Sequence, residues 1–239
     1  MEIKKNSKII IASICLAVSL GFCVYNAAQF FILPNEGEAS LTLEKVKDDL
    51  DVSLKLESYD ELTKTLNRKG FEDFLDNFLE ANKKKSEERH VALYLINFSS
   101  ATKGLKAIND EYGHLVGDGL PAAFADRLKE VFDDERFVFA RRSGSAFIVF
   151  DTEFHGKDDA AACVKKLKEV WHDAPYKVND DIAIEGLALH AFCLPFEATD
   201  EARSADELVS YAYDAANNMK DLAPFAFAFD GDEAPILGD

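Results

Sequence analysis

The chain has 239 residues, of which 44 are acidic and 27 are basic, so its formal net charge is −17. This charge excludes a general nucleic-acid binder, because such a protein neutralises phosphate groups with a basic surface. One long apolar run near the start leaves about 200 residues for soluble structure, which is the size of one domain with a connector and excludes a multidomain enzyme.

The first predicted element is a membrane anchor. A basic tail, residues 1–8, precedes an apolar run from Ile9 to Leu33. As an α-helix this run spans about 37 Å, which is enough to cross a bilayer with some tilt. A cleaved secretory signal is the rival interpretation, but the run is long for one, and its best cleavage site has the bulky Tyr25 where a small residue is needed. We therefore predict a single transmembrane helix over residues 9–33 and a single-pass membrane protein.

The side of the membrane that holds the soluble part stays open at this stage. Basic residues mark the cytoplasmic side of an anchor. Three Lys precede the run, and Lys45 and Lys47 follow it. This difference of one residue favours a soluble part outside the cytoplasm, whereas the motifs described below imply a cytoplasmic one.

An amphipathic connector is predicted over residues 34–59. Its apolar residues are spaced three and four apart among charges, as in a helix with one apolar face; they are Leu43, Val46, Leu50 and Leu54. Two such helices could pair as a short parallel coiled coil and make a homodimer, although Ser53 interrupts the heptad. A single helix that packs on its own domain explains the spacing equally well, so both interpretations remain.

The globular part, residues 60–230, alternates helical and strand patterns and is followed by an acidic tail, residues 231–239. The order α-β-α-β-β-α-β-α-β favours an α+β fold with a βαββαβ core. The first elements are a helix containing Phe71 to Leu79, a strand from His90 to Phe98, a helix from Gly119 to Phe132, and two strands from Phe137 to Phe154 that meet at Ser143-Gly144. The later elements are a helix from Ala160 to Trp171, a strand from Ile182 to Cys193, a helix that begins at Ser204 with a capping box to Glu207, and a strand from Phe225 to Phe229.

Four strings in this part are more specific than periodicity. They are Asp60-Glu61-Leu62-Thr63 followed by Asn67-Arg68, the segment KAINDEYGHLVGD from Lys106 to Asp118, the segment from Ala205 to Lys220, and the segment from Phe225 to Asp230. With these strings the chain resembles the GGDEF family, the diguanylate cyclases that join two GTP molecules into cyclic di-GMP. The resemblance implies a bacterial signalling protein with the family's nucleotidyl-cyclase-like fold, in which helices cover an antiparallel-containing sheet.

The resemblance also implies that the metal-binding acids are missing. Magnesium is held by oxygen ligands, above all by carboxylates. In the family these come from an acid at the end of the first strand and from the acids of the hairpin motif. Here the hairpin reads Arg-Arg-Ser-Gly-Ser-Ala-Phe over residues 141–147, so Ser145 and Ala146 replace both acids. The strand-end position falls on Asn97 by one alignment and on Ala101 by another. We therefore expect no catalytic residue and no metal ligand at these positions.

Part of a nucleotide site is retained in the resemblance. Asn109 and Asp118 match positions that contact the guanine edge, where an amide and a carboxylate supply the donor and acceptors. Lys220 matches a phosphate-contacting Lys, whereas Ala223 stands where a second cation is expected. The alternative is that Asn109 and Asp118 are polar caps around a turn that maintain the fold without a ligand. Four histidines have no partners at ligand spacing and are predicted at strand edges or on the surface: His90, His155, His172 and His190.

These observations predict a membrane-anchored signalling protein with a degenerate GGDEF domain. We expect it to lack cyclase activity, to use no cofactor, and to bind GTP or cyclic di-GMP weakly or else a protein partner. The first alternative is an active diguanylate cyclase, which would use Mg²⁺ and would need carboxylates from elsewhere, such as Asp151 or Glu153. The second alternative is an extracytoplasmic interaction domain with no nucleotide ligand.

Overall fold

The computed structural model describes residues 57–83, 88–98, 104–172, 175–199 and 203–238. The predicted basic tail 1–8, the transmembrane helix 9–33 and nearly all of the connector 34–59 lie outside these ranges, so they stay predictions. Within the described ranges, no helix combines the length and the apolar character that crossing a membrane requires.

A seven-stranded mixed sheet forms the centre of the domain. Its strands are β1 (Leu66–Asn67), β2 (His90–Asn97), β3 (Phe137–Ser143), β4 (Ala146–Asp151), β7 (Leu189–Glu197), β8 (Phe225–Phe229) and β9 (Ile236–Gly238). Their spatial order is β1-β3-β4-β2-β7-β8-β9. The pairs β1/β3 and β7/β8 are parallel and the other pairs are antiparallel. A separate two-stranded sheet contains β5 (Tyr176–Lys177) and β6 (Ala183–Ile184).

Five helices cover the two faces of the large sheet in the described part of the chain. They are α1 (Arg68–Lys83), α2 (Leu105–Tyr112), α3 (His114–Val131), α4 (Lys157–His172) and α5 (Ala205–Asn217). Buried residues of α2, α3 and α4 pack in one apolar cluster, and those of α1 and α5 pack in another on the opposite face. The domain therefore has three layers, and the predicted α+β fold with a helix-covered sheet is confirmed.

Strand β2 lies between these two clusters. Each residue from Val91 to Ile96 has an exposed fraction of 0%. Because side chains alternate along a strand, Leu93 and Leu95 face α1 and α5, whereas Tyr94 and Ile96 face the other three helices. A strand buried on both faces needs a continuous apolar run, which is why the sequence predicts this strand correctly.

The helical region before β3 differs from the prediction. The helix expected over Gly119 to Phe132 begins instead at His114, and α2 precedes it. Gly113 separates the two helices with a φ of 86°, a left-handed conformation that favours glycine. Helix α2 has little apolar periodicity because Ile108 is its one buried residue, so the hydrophobic pattern did not reveal it.

Two further differences concern strands. The predicted strand from Ile182 to Cys193 is divided, because its first part pairs in the small β5/β6 sheet and only β7 joins the large sheet. Gly186, with a φ of 66°, lies in the connection. Strand β9 forms in the segment predicted as an acidic tail and pairs with β8 at the edge of the sheet.

The capping box predicted at the start of α5 is present. Ser204 Oγ accepts a hydrogen bond from the backbone N–H of Glu207 at 3.3 Å, and the Ser204 backbone N–H donates to Glu207 Oε2 at 2.8 Å. We expect Ser204→Ala to lower the free energy of unfolding by about 1 kcal/mol, because the N–H groups of the first turn lose an acceptor. Urea unfolding measures this loss. Ser210→Ala in the same helix is the matched control and should change stability by less than about 0.5 kcal/mol; an equal loss in both variants would contradict a role for the cap.

Candidate functional site

The ends of the central strands bring two of the predicted site positions, Asn97 and Ala146, together. Asn97, the last residue of β2, is paired with Ala146 on β4 and with His190 on β7. His190 is in turn paired with Ala226 on β8. Because directly paired residues point to the same face, these four side chains form one row at the end of the sheet. By strand alternation the row lies on the face covered by α1 and α5.

Ser145 contacts this row from the hairpin turn between β3 and β4. Its Oγ donates a hydrogen bond to Asn97 Oδ1 at 2.8 Å. The backbone reinforces the contact, since the N–H of Phe98 donates to the carbonyl oxygen of Ser145 at 3.2 Å. The structure thus places Asn97 beside the hairpin, whereas Ala101, the alternative strand-end position, lies outside the described residues. Ser145 and Asn97 are uncharged, and Ala146 supplies no ligand atom.

The acids considered as substitutes lie at the other end of β4. Asp151 is the last residue of that strand and is paired with Ala92, five residues before Asn97. Burial raises the pKa of Asp151, and Arg136, at 3.3 Å, partly offsets this effect. In the described ranges, one group of three His, Cys, Asp or Glu side chains has ligand atoms within 4.8 Å of one another: Glu88, His90 and Glu197. His90 begins β2, so this exposed group is also remote from Asn97.

Asn109 and Asp118 lie at the junction of α2 and α3. The backbone N–H of Gly113 donates to the carbonyl oxygen of Asn109 at 2.9 Å and ends α2. The side chain of Asn109 packs so closely on Gly117 that any Cβ there would overlap Asn109 Oδ1, which explains the glycine before Asp118. Asn109 Oδ1 is buried and has no hydrogen-bond partner in the described structure, whereas Asp118 is exposed. The exposed Asp118 carboxylate can accept hydrogen bonds from a ligand, whereas Asn109 Oδ1 is enclosed beside Gly117, the residue before Asp118.

Lys220 lies after α5, near the row of Asn97 and His190. Its side chain is exposed, and its backbone N–H closes a turn by donating to the carbonyl oxygen of Asn217 at 3.3 Å. Burial lowers the pKa of His190 to about 4. The charge of Asp221 opposes this shift and the charge of Lys220 adds to it, so both residues lie close enough to interact electrostatically with the ring. The phosphate-binding candidate therefore lies at the same end of the sheet as Asn97.

His190 is the member of this row whose burial the sequence did not predict. It was predicted at a strand edge or on the surface, but its exposed fraction is 0% because β7 lies inside the sheet, between β2 and β8. Neither ring nitrogen has a hydrogen-bond partner in the described structure. The sequence signal was present, since His190 is the one polar residue in the run Leu-Ala-Leu-His-Ala-Phe-Cys-Leu.

The known protein family that matches the chain is described as "Diguanylate cyclase, GGDEF domain", and the match covers residues 57–222. The signaling protein YkoW of Bacillus subtilis (strain 168) is 27% identical over 169 residues, which are 70% of this chain and 20% of YkoW. The chain thus spans about a fifth of that relative's length.

Two solved structures show the same fold. A sensory box/GGDEF family protein from Caulobacter crescentus CB15 is 26% identical, with 69% of this chain and 99% of that chain covered and a TM-score of 0.56. The coiled coil and GGDEF domain of DgcB from Caulobacter crescentus, solved in complex with c-di-GMP, is 18% identical, with 77% and 91% covered and a TM-score of 0.58.

Proposed function

Because this chain belongs to the GGDEF family, we propose that it is a signalling protein whose GGDEF domain lacks cyclase activity and binds a guanine nucleotide as a sensor. The observation that carries the proposal is the hydrogen bond between Ser145 and Asn97. The membrane anchor over residues 9–33 is part of the same proposal and rests on the apolar sequence.

The side chains of Asn97, Ser145 and Ala146 are poor ligands for magnesium. Mg²⁺ dehydrates reluctantly and is held through carboxylates and phosphates. Here one neutral side chain satisfies the other, since Ser145 Oγ donates to the Asn97 oxygen that a metal would need. Ala146 adds no ligand, and no negative charge at these positions offsets a divalent ion. These residues do not fit Mg²⁺, and without it the described residues at this end of the sheet supply no carboxylate-held ion to stabilise the charge of phosphoryl transfer.

The candidate guanine-contacting residues, in contrast, are retained in the sequence. The exposed Asp118 carboxylate can accept hydrogen bonds from the ring and exocyclic nitrogens of guanine, and Asn109 Oδ1, which has no partner in the described structure, lies beside the preceding residue, Gly117. Lys220 supplies one cation for phosphates. Among the similar structures, DgcB binds c-di-GMP, which supports guanine nucleotides as the ligand class. A site with guanine contacts but one phosphate cation and no metal is expected to bind weakly and not to turn over.

The binding claim predicts that Asp118→Asn weakens GTP binding at least about tenfold, because the amide replaces an acceptor that takes charge-assisted hydrogen bonds from guanine. Isothermal titration of the full chain in neutral detergent, with magnesium present, measures the affinity. Asp126→Asn is the matched control, since Asp126 is an exposed acid on the same helix, α3, and forms an ion pair with Lys129 at 3.8 Å. Its affinity should equal that of the wild type.

The same titration mixtures separate the alternatives when they are analysed for products. GTP or cyclic di-GMP binding without product supports the sensor. Cyclic di-GMP formed from GTP would contradict the proposed loss of activity and favour the cyclase. No binding of either nucleotide would contradict the sensor and favour a domain that interacts with proteins.

A further inference from the structure

A cationic cleft lies on the other side of the β3/β4 hairpin from the contact between Ser145 and Asn97. The cleft has a volume of about 440 Å³ and is lined by the start of α1, the end of β3 and the hairpin turn. Four of its lining residues are cations and one is an acid; the cations are Arg68, Lys69, Arg141 and Arg142, and the acid is Asp60. This concentration of positive charge is unusual in a chain with a net charge of −17.

The sheet topology creates the cleft. β1 pairs in parallel with β3, so that Asn67 is opposite Arg141. Arg68 and Lys69 begin α1 directly after β1, and Arg142 follows Arg141 on β3. Two basic pairs that are far apart in the sequence therefore meet at one edge of the sheet.

Arg142 is the residue that most directly indicates a ligand. Its guanidinium carbon lies 3.6 Å from the centroid of the Tyr213 ring on α5, which fixes the side chain. Its Nε is buried without a hydrogen-bond partner in the described structure, and no ion pair of Arg142 is found there. Burial lowers the pKa of Arg142, and Arg68 lowers it further, so nearby acids do not fully compensate the charge.

Arg141 is held in place beside the cleft by an acid and a backbone carbonyl group. Arg141 is fixed by Asp60 at 3.2 Å and by the carbonyl oxygen of Gly144 at 2.9 Å. Thr63 and Arg141 hold the pKa of Asp60 below its usual value although burial raises it, so Asp60 keeps its charge and fixes Arg141.

Arg68 and Lys69 are more exposed. Arg68 contacts Glu72 at 2.6 Å and Asp206 at 2.5 Å, and neither acid lines the cleft. Lys69 contacts Glu57 at 3.4 Å. The single exposed pair of Lys69 contributes little, so Lys69 can turn to an anion in the cleft, whereas hydrogen bonds to Glu72 and Asp206 raise the pKa of Arg68 and hold its guanidinium.

We propose that this cleft binds the phosphate groups of a small phosphorylated molecule, with Arg142 as the principal donor and Arg68 and Lys69 as additional charges. Guanidinium groups present planar, paired N–H donors that match phosphate oxygens. An anion between Arg68 and Arg142 accepts hydrogen bonds from the terminal N–H groups of Arg142 and relieves the repulsion of two like charges. The volume of the cleft falls within the usual range of small-molecule sites, about 300–1,000 Å³. This site is separate from Asn109, Asp118 and Lys220.

The test uses inorganic pyrophosphate as the probe and the full chain in neutral detergent. Isothermal titration should detect binding to the wild type, and Arg142→Gln should weaken it at least about tenfold. Lys165→Gln is the matched control, because Lys165 is an exposed cation on α4 outside the cleft, and it should bind as the wild type does. Lys69→Gln removes an exposed charge at low structural risk and should weaken binding by a smaller factor, so the test remains valid if Arg142→Gln does not fold.

Three outcomes would overturn the proposal. They are no binding of pyrophosphate to the wild type at millimolar concentration, equal binding by the wild type and by folded cleft variants, and binding that Lys220→Gln abolishes but Arg142→Gln does not. The last would place the anion at the candidate nucleotide site. Asp118→Asn distinguishes a failure of this proposal from a failure of the proposed function, because it should weaken GTP binding and leave pyrophosphate binding unchanged.

Discussion

The free energy of unfolding should fall about 2.5 kcal/mol more in the wild type than in His190→Gln as the pH is lowered from 6.5 to about 4. Burial lowers the pKa of His190 to about 4, against an ordinary value of 6.5. The unfolded chain therefore binds a proton in this range that the folded protein does not, and stability is lost as pH falls. Well above pH 6.5 the ring is neutral in both states, and the full stability remains.

The measurement is urea unfolding at several pH values, and the slope with pH is compared rather than the absolute stability. This comparison is needed because a buried Gln at position 190 carries a cost of its own at every pH. His114→Gln is the matched control, since it removes an imidazole that is exposed at the start of α3 rather than buried. Equal slopes in the wild type and in His190→Gln would show that the buried ring does not titrate as expected.

Much of the fold was predictable because local patterns and tertiary packing agree. The run that forms β2 is apolar because both faces of that strand are covered, and the turn at Gly144 lies between the half-buried β3 and the buried β4. The capping box at Ser204 is a local hydrogen-bond pattern, so its prediction needed no tertiary information. Helix α2 was not predicted because it lacks such a local pattern: it buries only Ile108, and its end depends on the backbone conformation of Gly113.

The sites depended more on register than on local pattern. The family resemblance identified Asn109 and Asp118 from one continuous string. The row of Asn97, Ala146 and His190 exists only because β2 pairs with β4 and β7 in one particular register. No single stretch of sequence records that alignment, which is why His190 was predicted on the surface. The cationic cleft was missed in the same way, since parallel pairing of β1 with β3 assembles it.

Replacing three residues by acids should create magnesium-dependent GTP binding. The triple variant is Asn97→Asp, Ser145→Asp and Ala146→Glu. It replaces the neutral hydrogen bond between Asn97 and Ser145 with carboxylates, the oxygen ligands that magnesium prefers. We expect magnesium to strengthen GTP binding at least about tenfold in the variant and to have little effect in the wild type, as measured by isothermal titration with and without the ion.

A second readout distinguishes a metal site from a general change in charge. Without metal, the clustered acids repel one another, so the variant should unfold at a lower temperature than the wild type, and magnesium should reverse much of that loss by binding the folded state. Ala146→Glu alone is the control and should show no magnesium effect, because one carboxylate beside Asn97 and Ser145 does not make a site. If the triple variant gains neither effect, our placement of the site is wrong.

The new acid at position 97 is also directly opposite His190, so it should raise the pKa of that ring and reduce the acid-dependent loss of stability described above. Because this change in the pH slope needs no metal, it tests the register of the row independently of magnesium binding.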